Sequence, residues 1–376
     1  MDTIDNIMHI PTIDATTNFW MVRTKRGFFF NEFLSKEYIA IGWNLVTHAK
    51  LKDGLTKAQE KRLKAQIKEE YGEAVPGNAL NKCVRFCNDV KAGDIAVIVD
   101  SGRIAFAEIG EYYEESAPEL TIALEKEINE KIEKTTPRAD SFECPYVKRR
   151  KISVIKVLKG DSFISPYLQT AMARNWHSLS SLNDYAELIL SACYDAFIYG
   201  GKLTATFRIT QSDDINAIDL SSFMLYAARI LSSDSPELVS VKTALHSPGD
   251  IILQIGNFLR ENPLSLLVCY FAVFGGRFKD YEFPSLLGIV KGILNAGYEK
   301  KKKALELRKL EAETKVAEQE AIGKELENLK RKHELEVELM DQYAEPLAIA
   351  ADKLQVLPPD SKIIDFSKLL ETHSKD

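Results

Sequence analysis

The stretch KAGDIAVIVDSGRIAFAEIG, Lys91–Gly110, predicts a β-hairpin with two apolar strands. The strands are Ile95–Val99 and Ile104–Ile109, and the residues Asp100–Arg103 form the turn between them. Gly and Asp on either side of short apolar runs favour the tight reversals that join antiparallel strands. This hairpin is the clearest β-structure prediction in the chain.

Further strands and helices are predicted on both sides of this hairpin. Strand patterns occur at Asn18–Arg23, Tyr38–Trp43 and Tyr146–Leu158, and helical patterns at 28–34, Thr56–Tyr71 and Asn78–Asn88. Thr56 is the predicted N-cap of its helix. Strands dispersed around helices indicate a small, curled α+β barrel over residues 12–158. The charged segment 119–140 is predicted to be a solvent-exposed helix inserted before the last strand.

Residues 161–255 predict a second, smaller α+β domain. Its helices are predicted at Tyr167–Arg174, Leu182–Tyr199 and Leu220–Leu231, the last capped by Asp219. Its strands are predicted at Leu203–Ile209, Leu238–Leu245 and Ile251–Ile255, the last two on either side of the turn Ser247–Asp250.

An apolar helical block is predicted over residues 256–298. Its most apolar part is Pro263–Gly276, with 11 residues between the Pro and the Gly pair. A helix that spans a membrane needs about 20 residues, so a buried core helix or an oligomer contact is favoured. Shallow membrane insertion together with Phe283–Leu294 stays open as an alternative.

A long charged helix is predicted over residues 299–345. Acidic residues precede basic ones by four positions, as in Glu320/Lys324, which is the stabilising order on a helix surface. Leu310 and Ala317 share one heptad register, but Lys324 and Arg331 interrupt it, which predicts at most a weak or transient coiled coil. The prolines from Pro346 onward predict a loosely packed tail over 346–376.

Composition and charge exclude several classes of protein. The formal net charge of −6 excludes a basic field over the whole chain of the kind that grips nucleic acid, although a local patch remains open. The five cysteines are odd in number and lie in apolar contexts, with no His at zinc-ligand spacing, which predicts reduced thiols and no metal site. The polar first residues do not resemble a signal peptide, so we expect a cytoplasmic protein.

Enzyme motifs are absent from the sequence. It contains no phosphate-binding loop, no dinucleotide-binding glycine pattern, no serine-hydrolase elbow and no zinc-protease histidine pair. The strand Leu238–Leu245 contains Lys242, but Ser240 occupies the position where a restriction-type nuclease has an acid. We therefore predict a protein that is not an enzyme and that uses no cofactor.

Aromatic residues at predicted strand ends suggest a binding pocket instead. Trp20 and Trp43 supply flat faces, and the directional polar groups near them in the sequence belong to Arg23, Asn44, Asn81 and Arg85. Stacking on aromatic faces together with hydrogen bonds to the base edge is how proteins hold an unpaired base. The alternative interpretation is that both indoles fill the barrel core.

A set of segments in residues 12–158 resembles the EVE-like branch of the PUA superfamily. The set is Phe19–Arg23, Glu32–Leu34, Ile39–Trp43, Arg85–Phe86, Val90–Asp94, Gly102–Ile109 and Pro145–Arg149. It is similar in particular to the version at the N-terminus of Mrr-type restriction endonucleases and related defence proteins. The order and spacing of the segments carry the resemblance, which covers under half of the chain.

The resemblance implies a pseudo-barrel whose pocket receives a base, often a methylated one. By position in the motif, the pocket would be lined by Trp20, Arg23, Trp43, Asn81, Arg85 and Phe86. The chain departs from the family in two ways. No recognisable nuclease domain follows the barrel, which removes cleavage as the expected activity, and the insertion 119–140 is not part of the usual barrel.

Our functional hypothesis is a non-enzymatic sensor in bacterial defence against phage. Its barrel would bind a modified base, in nucleic acid or as a free nucleotide, and residues 256–345 would assemble with further copies or with a partner protein. The alternative is a membrane-perturbing or self-assembling effector that the barrel controls.

Overall fold

The computed structural model describes residues 10–357 apart from short gaps. The gaps are 101, 116–121, 136–141, 160–163, 176, 212–213, 233–238, 245–248, 256–268, 270–271, 274–282 and 312–315. The fold is mixed α+β, as predicted. The chain divides into two compact units, Asp14–Cys193, here called the barrel unit, and a second unit formed by Met1–Ile13 with Tyr194–Asp376.

The first strand, β1 (Thr12–Ile13), belongs to the second unit. The barrel unit then contains, in chain order, β2 (Phe19–Arg23), α1 (Phe30–Ser35), β3 (Tyr38–Ile41), α2 (His48–Leu51), α3 (Lys57–Tyr71), α4 (Pro76–Val84), β4 (Ile95–Asp100), β5 (Arg103–Glu114), α5 (Ile122–Glu133), β6 (Lys148–Lys159), α6 (Pro166–Arg174), β7 (Leu179–Ser181) and α7 (Ala186–Cys193). A π-helical turn, Arg85–Asp89, continues α4.

The sheet of the barrel unit is a curled half-barrel of six strands in the order β3-β6-β5-β4-β2-β7. β2 pairs with β4 in parallel, and the other neighbours are antiparallel. The hairpin predicted at residues 95–109 is present as β4 and β5. β5 and β6 pair along 12-residue strands with two register shifts, and such bulges increase the bend of a strand pair.

Apolar residues explain where the core of the barrel unit lies. Phe30 and Phe33 of α1 and Phe29, the residue directly before it, are fully buried in the core that packs on the sheet. Helix α3 begins as predicted, because Thr56 and Gln59 form a capping box. The predicted strand at Asn18–Arg23 and the predicted helix at Asn78–Asn88 are also present, within the usual uncertainty of element ends.

The predicted helix Leu182–Tyr199 is wrong in its second half. Helix α7 ends at Cys193, and Ala196–Tyr199 is strand β8, which pairs with β9 (Lys202–Ile209). Gly200 and Gly201 both have positive φ, as a two-residue hairpin turn requires, and they join the two strands. The division between the units therefore follows α7, whereas the sequence suggested a boundary near residue 160.

The second unit continues with α8 (Ala217–Ser232), β10 (Val239–Ala244), β11 (Gly249–Ile255), α9 (Phe283–Glu311) and α10 (Val316–Lys353). Its sheet has the order β1-β8-β9-β11-β10, in which β1 and β8 are parallel. The predicted N-cap Asp219 is wrong. The Asn216 side chain accepts the N–H groups of Ile218 and Asp219, so α8 begins earlier.

The prediction of a loosely packed tail fails for the described residues 346–357. Helix α10 continues through Pro346 to Lys353, and Leu347, Ala351 and Leu354 are buried in the core of the second unit. The predicted helix 299–345 is in fact parts of α9 and α10. Of the predicted apolar stretch 263–276, only Cys269, Ala272 and Val273 are described, and all three are buried; the rest lies outside the described residues.

Candidate functional site

Trp43 follows β3 in a strained backbone conformation. Its φ is +60°, in the left-handed region that large side chains rarely adopt. Such a conformation costs of order 1–3 kcal/mol and persists only where the surroundings fix it. Strained residues of this kind are enriched at binding and active sites, so the loop Gly42–Asn44 is the starting point for the site.

A buried carboxylate fixes this loop. Glu125 on α5 is 1% exposed, and its Oε1 accepts the backbone N–H of Trp43 at 2.6 Å. Its Oε2 accepts the backbone N–H of Asn44 at 2.9 Å and the hydroxyl of Tyr71 at 2.8 Å. Burial beside this carboxylate raises the pKa of Tyr71, so Tyr71 stays a hydrogen-bond donor. The helix predicted within 119–140 is present as α5, but it is not wholly solvent-exposed as predicted, because it supplies the buried Glu125 to this loop.

The close approach of the Glu125 carboxylate requires a glycine at position 42. A Cβ atom at this position would lie 2.7 Å from Glu125 Oε1 and 3.1 Å from the ring of Tyr146. Real Cβ atoms do not approach backbone-anchored groups so closely without a shift of one of them. The glycine before Trp43 therefore allows Glu125 to reach the loop.

A buried cation fixes the carbonyl side of the loop. Lys148 on β6 is fully buried, and its Nζ donates to the carbonyl oxygen of Trp43 at 2.7 Å. The side chain of Asn44 donates to the carbonyl of Pro145 at 2.8 Å and accepts the N–H of Val147 at 3.1 Å. Two opposite charges and one amide thus hold both sides of the same three-residue loop.

The indole of Trp43 is half-buried rather than sealed in the core. Its Nε1–H donates to Glu73 Oε1 at 2.8 Å, and the Nζ of Lys82 lies 5.2 Å from the ring centroid. Burial lowers the pKa of Lys82, while the nearby Glu73 opposes that shift. A cation over an indole face contributes about 0.5–2 kcal/mol, according to how far it is desolvated. The ammonium of Lys82 therefore stabilises the Trp43 ring from one face.

Of the other predicted ligand-binding residues, three lie in the core. Trp20 is 6% exposed and its Nε1–H donates to Asp94 at 2.9 Å. Phe86 is fully buried against Tyr112, and the side chain of Asn44 is used by the backbone contacts described above. These three side chains therefore serve packing and loop support. For Trp20 this agrees with the alternative interpretation, in which the indoles fill the barrel core.

Of the remaining predicted residues, one is engaged in contacts within the chain and two are exposed to solvent. Arg23 donates to the carbonyls of Met172 at 2.6 Å and Asn175 at 2.9 Å, at the C-terminal end of α6, and burial lowers its pKa. Asn81 and Arg85 are exposed and lie four residues apart on one helical face, with Lys82 between them. The structure thus leaves Trp43, Asn81 and Arg85 with atoms that a ligand can reach.

Two arginines of β6, Arg149 and Arg150, are engaged in contacts within the chain rather than in a phosphate-binding surface. Arg149 donates to the carbonyls of Tyr146 and Cys144 and to Glu115, and Arg150 donates to the carbonyls of Phe86 and Cys87. Both guanidinium groups are consumed by these internal contacts. The cation that the structure places beside the Trp43 ring is Lys82 of α4.

Sequence analysis missed Glu125, Lys148, Tyr71, Glu73 and Lys82. Their roles depend on contacts between elements far apart in the chain, and Glu125 in particular sits in a helix whose composition is that of a solvated surface. Gly42 before Trp43 was the one available indication that another group approaches this backbone closely.

Comparison of the chain with protein-family models, with curated proteins and with solved structures gave no match. Among the residues that the structure describes, no group of three or more His, Cys, Asp or Glu side chains is arranged to hold a metal ion. Within the same residues, no helix is both long enough and apolar enough to cross a membrane.

Proposed function

We propose that the barrel unit binds a nucleobase, a modified one in particular, by stacking on the half-buried indole of Trp43. The observation that carries the proposal is the half-buried indole on a strained loop that a buried carboxylate and a buried ammonium hold from both sides. Preorganisation of this kind removes much of the ordering cost of binding. The resemblance of residues 12–158 to EVE-like domains supports the same choice of ligand.

The energetics are sufficient for a specific site with few contacts. Stacking of one base on an aromatic face contributes about 1–3 kcal/mol. Asn81 and Arg85 are exposed on either side of Lys82 in the sequence, and Lys82 contacts the Trp43 ring. We therefore expect the Asn81 amide to supply a hydrogen-bond donor and acceptor for the edge of a base and Arg85 to supply a cation. The role that we propose is a sensor in the cytoplasm, in defence against phage, with no catalytic step.

The test is titration of the purified chain with single-stranded oligonucleotides, with and without 5-methylcytosine, followed by tryptophan fluorescence and calorimetry. Trp43→Phe keeps an aromatic ring but loses the indole area and its bond to Glu73, so we expect binding to weaken about tenfold or more. The control is Tyr167→Ala, which removes an aromatic side chain that is 77% exposed on α6. Equal affinity of Trp43→Phe and the wild type would refute the proposal.

A specific observation favours self-assembly through α9 and α10 as the second candidate function. An open groove between these helices is lined by the apolar side chains of Ala304, Leu305 and Leu329 and by the cations of Lys301, Arg308 and Lys332. Asn328 and Glu325 complete the lining, and Glu325 pairs with Arg308 at 3.8 Å, so two of the three cations have no acid among the described residues of the groove paired with them. The exposed acids Glu334, Glu338 and Glu345 lie four and seven residues apart on α10. A basic groove and an acidic stripe on one chain are complementary between two copies.

Charge reversal tests this candidate. We expect that neither the double variant Lys301→Glu/Arg308→Glu nor the double variant Glu334→Lys/Glu338→Lys self-associates with itself, whereas a mixture of the two does. Sedimentation velocity at low salt measures this, and the association should weaken as salt rises. A monomeric wild-type chain at all concentrations would rule the candidate out.

The membrane-perturbing alternative depends on residues 263–276, most of which lie outside the described residues. Co-sedimentation with vesicles that contain anionic lipid tests it directly. Binding of the wild-type chain to such vesicles in the presence of the oligonucleotide, and not in its absence, would favour this alternative over self-assembly.

A further inference from the structure

The ammonium group of Lys82 occupies the position that a stacked ligand would need. Its Nζ lies 5.2 Å from the centroid of the Trp43 ring, within the range of a cation–π contact. Glu73 accepts the Nε1–H of the same ring and also attracts Lys82 electrostatically. The chain thus covers one face of the Trp43 ring with its own ammonium group.

A flat neutral base gains little by replacing this ammonium. The base would gain stacking with Trp43, but the cation–π contact would be lost in the same step. The ammonium would also have to find another partner, because Lys82 is partly buried and its free charge is costly there. A ligand that supplies a partner for Lys82 binds without this loss.

We propose that the Trp43 site takes a nucleotide rather than a free base or nucleoside, and that Lys82 leaves the ring to bind the phosphate. This proposal rests on the proposed function. A phosphate offers three acceptor oxygens and forms a charge-assisted hydrogen bond with an ammonium. Arg85, exposed three residues further along the same helix, is within one helical turn of Lys82 and supplies a second cation.

The arrangement makes Lys82 the residue that determines specificity. While it covers the ring, it disfavours ligands that stack but carry no phosphate. Once a phosphate draws it away, the ring is free for the base. Glu73 accepts the Nε1–H at the edge of the indole and repels a phosphate placed directly beside it.

The test compares cytidine, 5-methylcytidine and N6-methyladenosine with their 5′-monophosphates, by calorimetry and tryptophan fluorescence. For the wild-type chain we expect the monophosphate to bind about tenfold or more tightly than its nucleoside. In Lys82→Met the preference should fall to about twofold, while the nucleoside binds equally well or better, because the ring is uncovered. Lys82→Gln is the second variant if Lys82→Met does not fold.

Two controls separate this proposal from the proposed function. Lys61→Met removes an exposed cation on α3 and should leave the preference for the monophosphate over the nucleoside unchanged.

Equal affinity of the wild-type chain for nucleoside and monophosphate, with no change in Lys82→Met, would overturn the role of Lys82 and leave stacking on Trp43 intact. Loss of nucleoside and monophosphate binding together in Lys82→Met would overturn it as well. Binding that Trp43→Phe does not weaken would overturn the proposed function itself.

Discussion

Glu125 Oε1 and the backbone nitrogen of Trp43 lie 2.6 Å apart, although 82 residues separate them in the chain. The contact joins a helix inserted between two strands to the loop that presents the indole. It links the charge on Glu125 to the backbone conformation of Trp43. A change at Glu125 or at Gly42 therefore acts on the loop that carries the indole.

Neutralising Glu125 should destabilise the barrel unit. In Glu125→Gln an amide NH₂ replaces one of the two acceptor oxygens and faces the N–H of either Trp43 or Asn44, so at least one buried donor loses its acceptor. We expect the free energy of unfolding to fall by about 2–3 kcal/mol in urea denaturation. Glu130→Gln, an exposed position on the same helix, is the control and should change it by less than about 0.5 kcal/mol. Equal effects of the two variants would contradict the role of Glu125.

A methyl group at position 42 should have an opposite effect to one at position 77. Gly42→Ala places a Cβ 2.7 Å from Glu125 Oε1 and should destabilise the chain by about 1–3 kcal/mol. Gly77→Ala lies in α4, where the nearest atom is the flexible Lys64 Cε at 3.5 Å. Alanine in a helix should stabilise it by up to about 1 kcal/mol. Thermal melts of both variants measure the difference, and a melt of Gly42→Ala that matches the wild type would disprove the close approach.

The thiol of Cys83 should be almost inert in the folded chain. Burial raises its pKa to about 12, so at pH 8 the reactive thiolate is about 1,000-fold less populated than for a thiol with the ordinary pKa of 9. Because the folded pKa is the higher one, protonated Cys83 favours folding below pH 9, and this contribution is lost as the pH rises toward 12. Alkylation with iodoacetamide, read by mass spectrometry, should label Cys83 in urea and spare it in buffer. Rapid labelling in buffer at pH 8 would show that the thiol is accessible.

The C-terminal part of α10 should be essential to the second unit. Leu347→Ala removes a fully buried side chain and should cost about 2–5 kcal/mol. Ile349→Ala, two residues further on the same helix, removes a side chain that is 54% exposed and should cost less than about 0.5 kcal/mol. Circular dichroism during urea titration measures both. A small effect of Leu347→Ala would mean that this part of α10 is not packed into the core.

Local patterns predicted most elements of the barrel unit. The β4–β5 hairpin has apolar runs between Gly and Asp turns, and α3 has its capping box, so neighbours in sequence fix both. Strand β8 was missed because its apolar residues continue the pattern of α7. The pair Gly200–Gly201 before β9 was the turn that indicated a hairpin.

The long helix α10 shows why charge alone misleads. The tested register through Ala317, Lys324 and Arg331 is polar, whereas the residues that pack lie at Ile322, Met340, Leu347 and Leu354, with intervals of seven residues between the last three. Pro346 predicts a helix end, yet α10 continues through it. The side chains of α10 on both sides of Pro346 are held in the core. Tertiary packing overrides a local breaker of this kind.

The site itself could be predicted only in part. Trp43, Asn81 and Arg85 are predicted from residue type and from the resemblance and stay predictions, while Trp20 and Phe86 share those features and lie in the core. Residue type does not distinguish an indole that presents a face from one that fills a cavity. The buried charges of Glu125 and Lys148 hold the loop that carries Trp43. Their contacts with this loop form only when distant segments come together in the folded chain.

The most direct test of the account is the indole N–H resonance of Trp43 in a chain with ¹⁵N-labelled tryptophan. The Trp43→Phe and Trp20→Phe variants assign the resonances of these two residues by the loss of one peak each. On addition of 5-methylcytidine 5′-monophosphate, the account predicts that the Trp43 peak shifts with saturation while the Trp20 peak stays in place. A Trp43 peak that does not move while the nucleotide binds elsewhere would contradict the account.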